Sequence, residues 1–173
     1  MELRSERLVL RTIESADHHD VFRGLSHPDV IQHYGVSYHT MEATQEQMDW
    51  YAALVQEGTG HWWAIRAMHG NTFLGAIGLN NIEPAHRRGE IGFWLMPEHW
   101  RRGYVSEALP MVIHHAFHTL KLHRIMAEVE TANPSSAHAL QRAGFRHEGT
   151  LRECEWKDGR PLSLDVYALL HTA

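Results

Sequence analysis

The stretch from Glu90 to Leu120 constrains the fold more than any other part of this chain. EIGFWLM, Glu90 to Met96, is apolar enough for a central strand, and Pro97, which cannot donate to a sheet ladder, ends it. After a short loop holding Arg101, Arg102 and Gly103, the residues Leu109, Val112, Ile113, Ala116, Phe117 and Leu120 recur at the spacing of a buried helix face. Pro110 falls inside that helix, where its missing N–H and its ring are expected to bend or restrict it locally. A strand that passes through one short loop into a long helix is the building step of a layered α/β domain.

The rest of the chain agrees. RLVLRT alternates as a half-buried strand and opens the domain. Ser15 or Asp17 caps a short helix carrying Val21, Phe22 and Leu25, with Pro28 as its stop. Thr44 and Gln47 have the form of a capping box for a helix through Met48, Tyr51, Ala52 and Val55 that ends at Gly58. Two strand-like runs, WWAIRAM and TFLGAIGLNNI, flank a turn with Gly70 and Asn71, which predicts a hairpin. RIMAEVE reads as a strand. Asn133, Pro134 and Gly144 bracket a short helix, and Asp158-Gly159 joins two final strands. The order predicts one α/β domain, residues 1–173, with a central sheet and helices on both faces.

Composition excludes several classes. At 173 residues there is room for one sizeable core, and 43% apolar with 21% charged residues is ordinary for a globular protein. The net charge of −5 lacks the basic surplus that a phosphate backbone calls for, so nucleic acid is not an expected partner. One cysteine, Cys154, forms neither an internal disulfide nor a thiolate metal site, and it reads as a small core residue. There is no apolar run of membrane-spanning length, and MELRSERLVLR does not read as a signal peptide, so a cytoplasmic location without membrane contact is expected.

The most informative chemistry lies in WLMPEHWRRGYVSEAL, Trp94 to Leu109. A helix N-terminus presents unpaired N–H groups and partial positive charge, and a glycine lets an anion approach the backbone. A diphosphate suits that site, although a plain strand-to-helix turn with two solvated arginines has the same local pattern. Neither a Walker loop nor a Rossmann glycine triplet is present.

Taken together, SERLVLRTIESAD, EIGFWLMPEHWRRGYVSEAL, NPSSAHALQRAGF and DVYALL resemble the GNAT superfamily of N-acetyltransferases, most closely its ribosomal-protein N-terminal acetyltransferase branch. The match covers nearly the whole chain in order. It implies a mixed, splayed central sheet that binds acetyl-CoA at a fork between two strands, and direct transfer of the acetyl group to a primary amine. By the same resemblance the diphosphate loop is Trp100, Arg101, Arg102, Gly103, Tyr104 and Val105, with Ser106 at the helix start. Leu95 and Met96, at the strand end, join the cofactor-contacting set, and a backbone N–H near Leu95 polarises the thioester carbonyl. Val105 departs from the family pattern, which has a small residue there.

The Asn-x-x-Ser pair is Asn133 and Ser136. The resemblance implies that Asn133 meets the pantetheine arm and that Ser136 donates a hydrogen bond to the departing thiolate. Asn before Pro is also a strong helix cap, and one side-chain oxygen cannot serve both roles. The base implied by the branch is Glu155, with Glu90 as its rival, and Asp165 matches a recurrent acidic position. An α-amine, with a reference pKa of ~7.7–8.0 against ~10.4 for lysine, is the easier amine to deprotonate.

Sixteen histidines raise a metal question, and His114 and His118 share a helix face. Without His-Glu-x-x-His or a third ligand, no metal is expected. Trp62, Trp63 and Trp94 read as core, whereas Trp50, Trp100 or Trp156 could line a cleft. The acceptor is expected to be an amine, either a protein N-terminus or a small molecule such as a polyamine, an amino acid or an aminoglycoside. A catalytically silent acyl-CoA-binding regulator is the reading from a different class, and a homo-oligomer is compatible with either.

Overall fold

The computed structural model describes residues 1–172. Eight strands form one sheet: β1 (Glu2–Arg4), β2 (Leu8–Thr12), β3 (His61–Ala67), β4 (Phe73–Glu83), β5 (Arg88–Leu95), β6 (Arg124–Glu130), β7 (Arg146–Lys157) and β8 (Arg160–Leu170), in the order β1-β2-β3-β4-β5-β6-β8-β7. All neighbours run antiparallel except β5 and β6. That parallel pair is short, from Arg88 opposite Arg124 to Glu90 opposite Met126. From Ile91 onward β5 bonds only β4, and from Ala127 onward β6 bonds only β8, so the sheet forks between them. The expected mixed, splayed sheet is present.

Alternation along the strands sends the two sets of side chains to opposite faces. On one face Leu8, Leu10, Trp63, Ile65, Ile77, Ile91 and Ile125 pack against α4 (Tyr104–His114) through Ala108, Leu109 and Val112. On the other, Trp62, Ala64, Ala76 and Trp94 pack against α1 (His18–Leu25) and α3 (Met41–Glu57) through Val21, Leu25, Met48, Tyr51 and Leu54. Gly78 is needed on this second face, because a Cβ there would lie 2.2 Å from Trp62 Cγ. The bare strand lets the indole lie across β4.

Several local expectations are corrected. The opening strand is preceded by β1, which pairs with it through Glu2 opposite Arg11 to Arg4 opposite Val9. Neither Ser15 nor Asp17 caps α1 with its side chain. The fully buried Asp17 carboxylate instead accepts from the Glu14 amide at 2.9 Å and is ion-paired with Arg66 and, at 3.5 Å, with Arg11. Pro28 does not end a helix; it occupies the first turn of a short new one, α2 (Pro28–Ile31). Thr40, not Thr44, caps α3, accepting from the Ala43 amide at 3.0 Å, while Thr44 is buried inside the helix. Cys154 is exposed rather than core, because β7 is an edge strand with little covering it. The helix containing Pro110 stays helical to His114, and a wider turn, His115–Thr119, follows it.

Candidate functional site

The loop after β5 is held by its own backbone and by one indole. Met96 N–H donates to Leu74 O at 2.9 Å, so Trp94 and Met96 turn their polar groups toward β4. By alternation, the N–H and C=O of Phe93 and Leu95 point into the fork. The Leu95 carbonyl is taken by Trp100 Nε1 at 2.9 Å, which leaves the Leu95 N–H facing the fork. Arg101 (φ 60°) and Gly103 (φ 78°) both adopt left-handed backbone, and Gly103 is the N-cap of α4.

Glu107 N–H to Gly103 O, 3.1 Å, is the first bond of α4. The N–H groups of residues 101–106 have no acceptor among the described residues. A curved row of free amides at a helix N-terminus is an anion cradle. Val105, the departure from the family pattern, is half-buried against the core.

The fork opens into a groove of about 600 Å³ running between this loop and α5 (Pro134–Arg142). Leu95, Trp100, Arg101, Gly103, Tyr104, Val105 and Ser106 line one wall, and Asn133 and Ser136 line the other. Met96 and Arg102 do not line it: Met96 is buried against the α1–α3 face with its N–H spent on Leu74.

Asn133 Oδ1 accepts from Ser136 N–H at 3.3 Å, so the side-chain oxygen serves as the helix cap. Its Nδ2 donates to Ser136 Oγ at 3.0 Å. A hydroxyl that accepts from Asn133 keeps its own proton free to donate onward.

Glu90, Glu128 and Glu155 interact on the sheet face opposite α4, and none of the three lines the groove. Burial and the charges of Glu90 and Glu155 push the Glu128 carboxyl above the usual glutamate range. Sequence reasoning missed Glu128, although the alternation of RIMAEVE sets it opposite in phase to the buried Ile125, Ala127 and Val129. Nearby, Lys157 Nζ donates to the carbonyls of Ile31, Gln32 and Tyr34 at 2.7–3.0 Å and lies 3.4 Å from Glu130, whose other oxygen meets His33 Nδ1 at 2.9 Å. This clasp fixes the segment after α2, whose Gln32, His33 and Tyr34 line the groove.

Asp165 accepts from Thr150 Oγ1 at 2.6 Å and His147 Nε2 at 2.9 Å, which holds its carboxyl below the usual aspartate range and gives it a structural part in tying β7 to β8. Of the tryptophans singled out for a cleft, Trp100 lines the groove, whereas Trp156 is 74% exposed at the sheet edge.

Residues 7–146 match the Acetyltransferase (GNAT) domain family. The chain belongs to the GNAT acetyltransferase family. An uncharacterized GNAT relative, the N-acetyltransferase YoaA of Bacillus subtilis, is 36% identical over 97% of this chain and 96% of its own length. RimL, a ribosomal L7/L12 α-N-protein acetyltransferase solved with coenzyme A, superposes with a TM-score of 0.89 at 21% identity over 98% of both chains. The spermidine N-acetyltransferase of Vibrio cholerae, solved with CoA and spermine, gives 0.86 at 22% over 96% of both. These two structures share the GNAT fold with this chain. It is an N-acetyltransferase, and GNAT acetyltransferases use acetyl-CoA.

Proposed function

We propose that this enzyme transfers the acetyl group of acetyl-CoA to the α-amine of a protein N-terminus. The free amides of residues 101–106 carry the cofactor part of this reading: they suit the diphosphate, with the pantetheine arm running along the fork toward Leu95 and Ser136. The Leu95 N–H polarises the thioester carbonyl as negative charge develops on its oxygen. The amine nitrogen attacks the carbonyl carbon, the C–S bond breaks, and Ser136 Oγ–H donates a hydrogen bond to the sulfur as it becomes a thiolate. Glu155 takes the amine proton, Glu90 being the alternative, and Glu128 completes an acidic wall that draws a cationic amine in.

The low reference pKa of an α-amine, ~7.7–8.0, favours a peptide terminus, since modest assistance then suffices. The acidic wall equally suits a polyamine, the second reading. Calorimetry with CoA, followed by acetyl-CoA turnover on a peptide with a free α-amine, the same peptide N-terminally blocked but bearing lysine, and spermidine, separates the two. Turnover on the free peptide alone supports the proposal, and turnover on spermidine alone replaces it. Gly103→Val should weaken CoA at least tenfold, because a branched side chain disfavours φ of 78° and crowds the cradle. An unchanged dissociation constant in the folded variant removes the cradle assignment.

A further inference from the structure

The N-terminal SERLVLR motif lies about a hundred residues before the cofactor loop, and the reaction as described makes no use of it. In the fold it lies directly behind the loop. Glu107, in the first turn of α4, accepts from Ser5 Oγ at 2.6 Å, from the Arg7 N–H at 2.9 Å and from Arg7 Nε at 2.6 Å. The same guanidinium donates through Nη1 to Arg102 O at 2.9 Å and stacks over Tyr104, with Cζ 4.8 Å from the ring centre. Its Nη2 lies 3.4 Å from where a Cβ on Gly103 would be. One side chain therefore contacts Arg102 and Tyr104 on either side of Gly103 and the carboxylate behind them.

Glu107 poses an electrostatic difficulty. A carboxylate in the first turn suits a helix dipole, but here that turn is the one whose amides are to receive a diphosphate, and like charges there oppose binding. Burial pushes the Glu107 carboxyl up, yet the hydrogen bonds from Ser5 and Arg7 more than offset it, so the group titrates below the ordinary glutamate range and is an anion at neutral pH. Among the described residues only Arg7 pairs with it as a cation.

We propose that Arg7 is a positioning residue for the cofactor: it neutralises Glu107 behind residues 102–104, so that the amide cradle meets the diphosphate with no opposing charge. The proposal rests on the cofactor reading above and adds to it a residue outside the groove. The carboxylate it neutralises stands behind the diphosphate cradle, so loss of Arg7 acts on binding before it acts on the chemical step.

The test is calorimetry of CoA against the wild-type chain, Arg7→Met, Arg7→Lys, Glu107→Gln and the Arg7→Met/Glu107→Gln double variant, with melting temperatures recorded for each. Arg7→Met is expected to weaken CoA at least tenfold, about 1.4 kcal/mol. Arg7→Lys, which keeps the charge, should stay within about threefold of wild type, and Glu107→Gln should do the same. The double variant should recover most of what Arg7→Met loses, because the unpaired carboxylate is then gone. A purely architectural brace would leave the double variant as weak as Arg7→Met or weaker, and that result overturns the proposal, as does an unchanged constant in Arg7→Met. Should Arg7→Met fail to fold, the Lys and double variants still decide: a weak, well-folded Arg7→Lys alongside a weak double variant is a negative result. A wild-type chain that binds no CoA overturns the cofactor reading itself, and this proposal with it.

Discussion

Asn133 resolves at the level of single atoms a competition between capping and catalysis. Its oxygen caps α5 and its amide group donates to the Ser136 hydroxyl, so the cap also orients the side chain that the proposed reaction uses as its thiolate donor. Ser136→Ala is expected to lower kcat while leaving the CoA dissociation constant within about twofold, because the hydrogen bond strengthens only as sulfur gains charge. A raised dissociation constant with kcat spared would make Ser136 a binding residue. His61 offers a stability prediction instead. Burial, then the charges of the N-terminus and His115, lower its pKa to about 4, while its ring stacks on Trp63 at 4.2 Å and its Nε2 meets Thr12 Oγ1 at 2.8 Å. Between the ordinary value of ~6.5 and about 4 the unfolded chain takes up a proton that the folded chain refuses, so folding weakens as pH falls through that window. Urea denaturation of His61→Gln at pH 7 and pH 5 should show a smaller loss on acidification than wild type, and an equal loss would discard the assignment. At this scale the sequence was legible where spacing forces contact, as in Asn133 and Ser136 three apart. It was opaque for Glu128, whose neighbours Glu90 and Glu155 arrive from strands far away in the chain.

Elements were readable from periodicity, and their ends less so. The Gly103-to-α4 junction, the Asn133-Pro134 start of α5 and the Asp158-Gly159 turn stand where local chemistry puts them. Pro28 misled because proline just after a helix and proline at the first turn of the next one look alike until the intervening residues fold. β1 escaped because three residues carry too little alternation to register, and only β2 gives it a partner. The segment after α2 reads from the sequence as a loop around Gly35, but its anchoring does not, since what orders it is Lys157 from the far hairpin. Three carbonyls at the end of a short helix need donors, and the ammonium supplies them together. Lys157→Met should therefore free residues 31–34, of which Gln32, His33 and Tyr34 line the groove on the side proposed for the acceptor. Hydrogen–deuterium exchange in that segment is expected to rise, and KM for the amine to rise at least fivefold with CoA affinity unchanged. Unaltered exchange would show that the clasp does not hold the segment.

Across the whole molecule, the fork divides the labour of the two sheet halves. The short parallel pairing of β5 with β6 lets the halves part, so the groove opens between the cradle at α4 and α5, while the carboxylates of β5, β6 and β7 gather on the sheet face opposite α4. In the proposed reaction the amine proton goes to Glu155, with Glu90 the alternative. Glu155→Gln keeps the size of the side chain but cannot accept the amine proton, so turnover near neutral pH should fall by ~10²–10⁴, and Glu90→Gln should cost far less. Removing either charge also relieves Glu128, whose carboxyl should move back toward the ordinary range. The deficit of Glu155→Gln should shrink as pH rises, because more of the amine arrives already neutral. The measurement is turnover against pH at saturating acetyl-CoA for wild type, Glu155→Gln, Glu90→Gln and Glu128→Gln. A deficit for Glu155→Gln that stays constant across pH makes it a substrate-positioning group. If Glu90→Gln or Glu128→Gln alone shows recovery at high pH, the proton acceptor lies on β5 or β6, and the bulged edge strand that carries Glu155 serves only to shape the entrance.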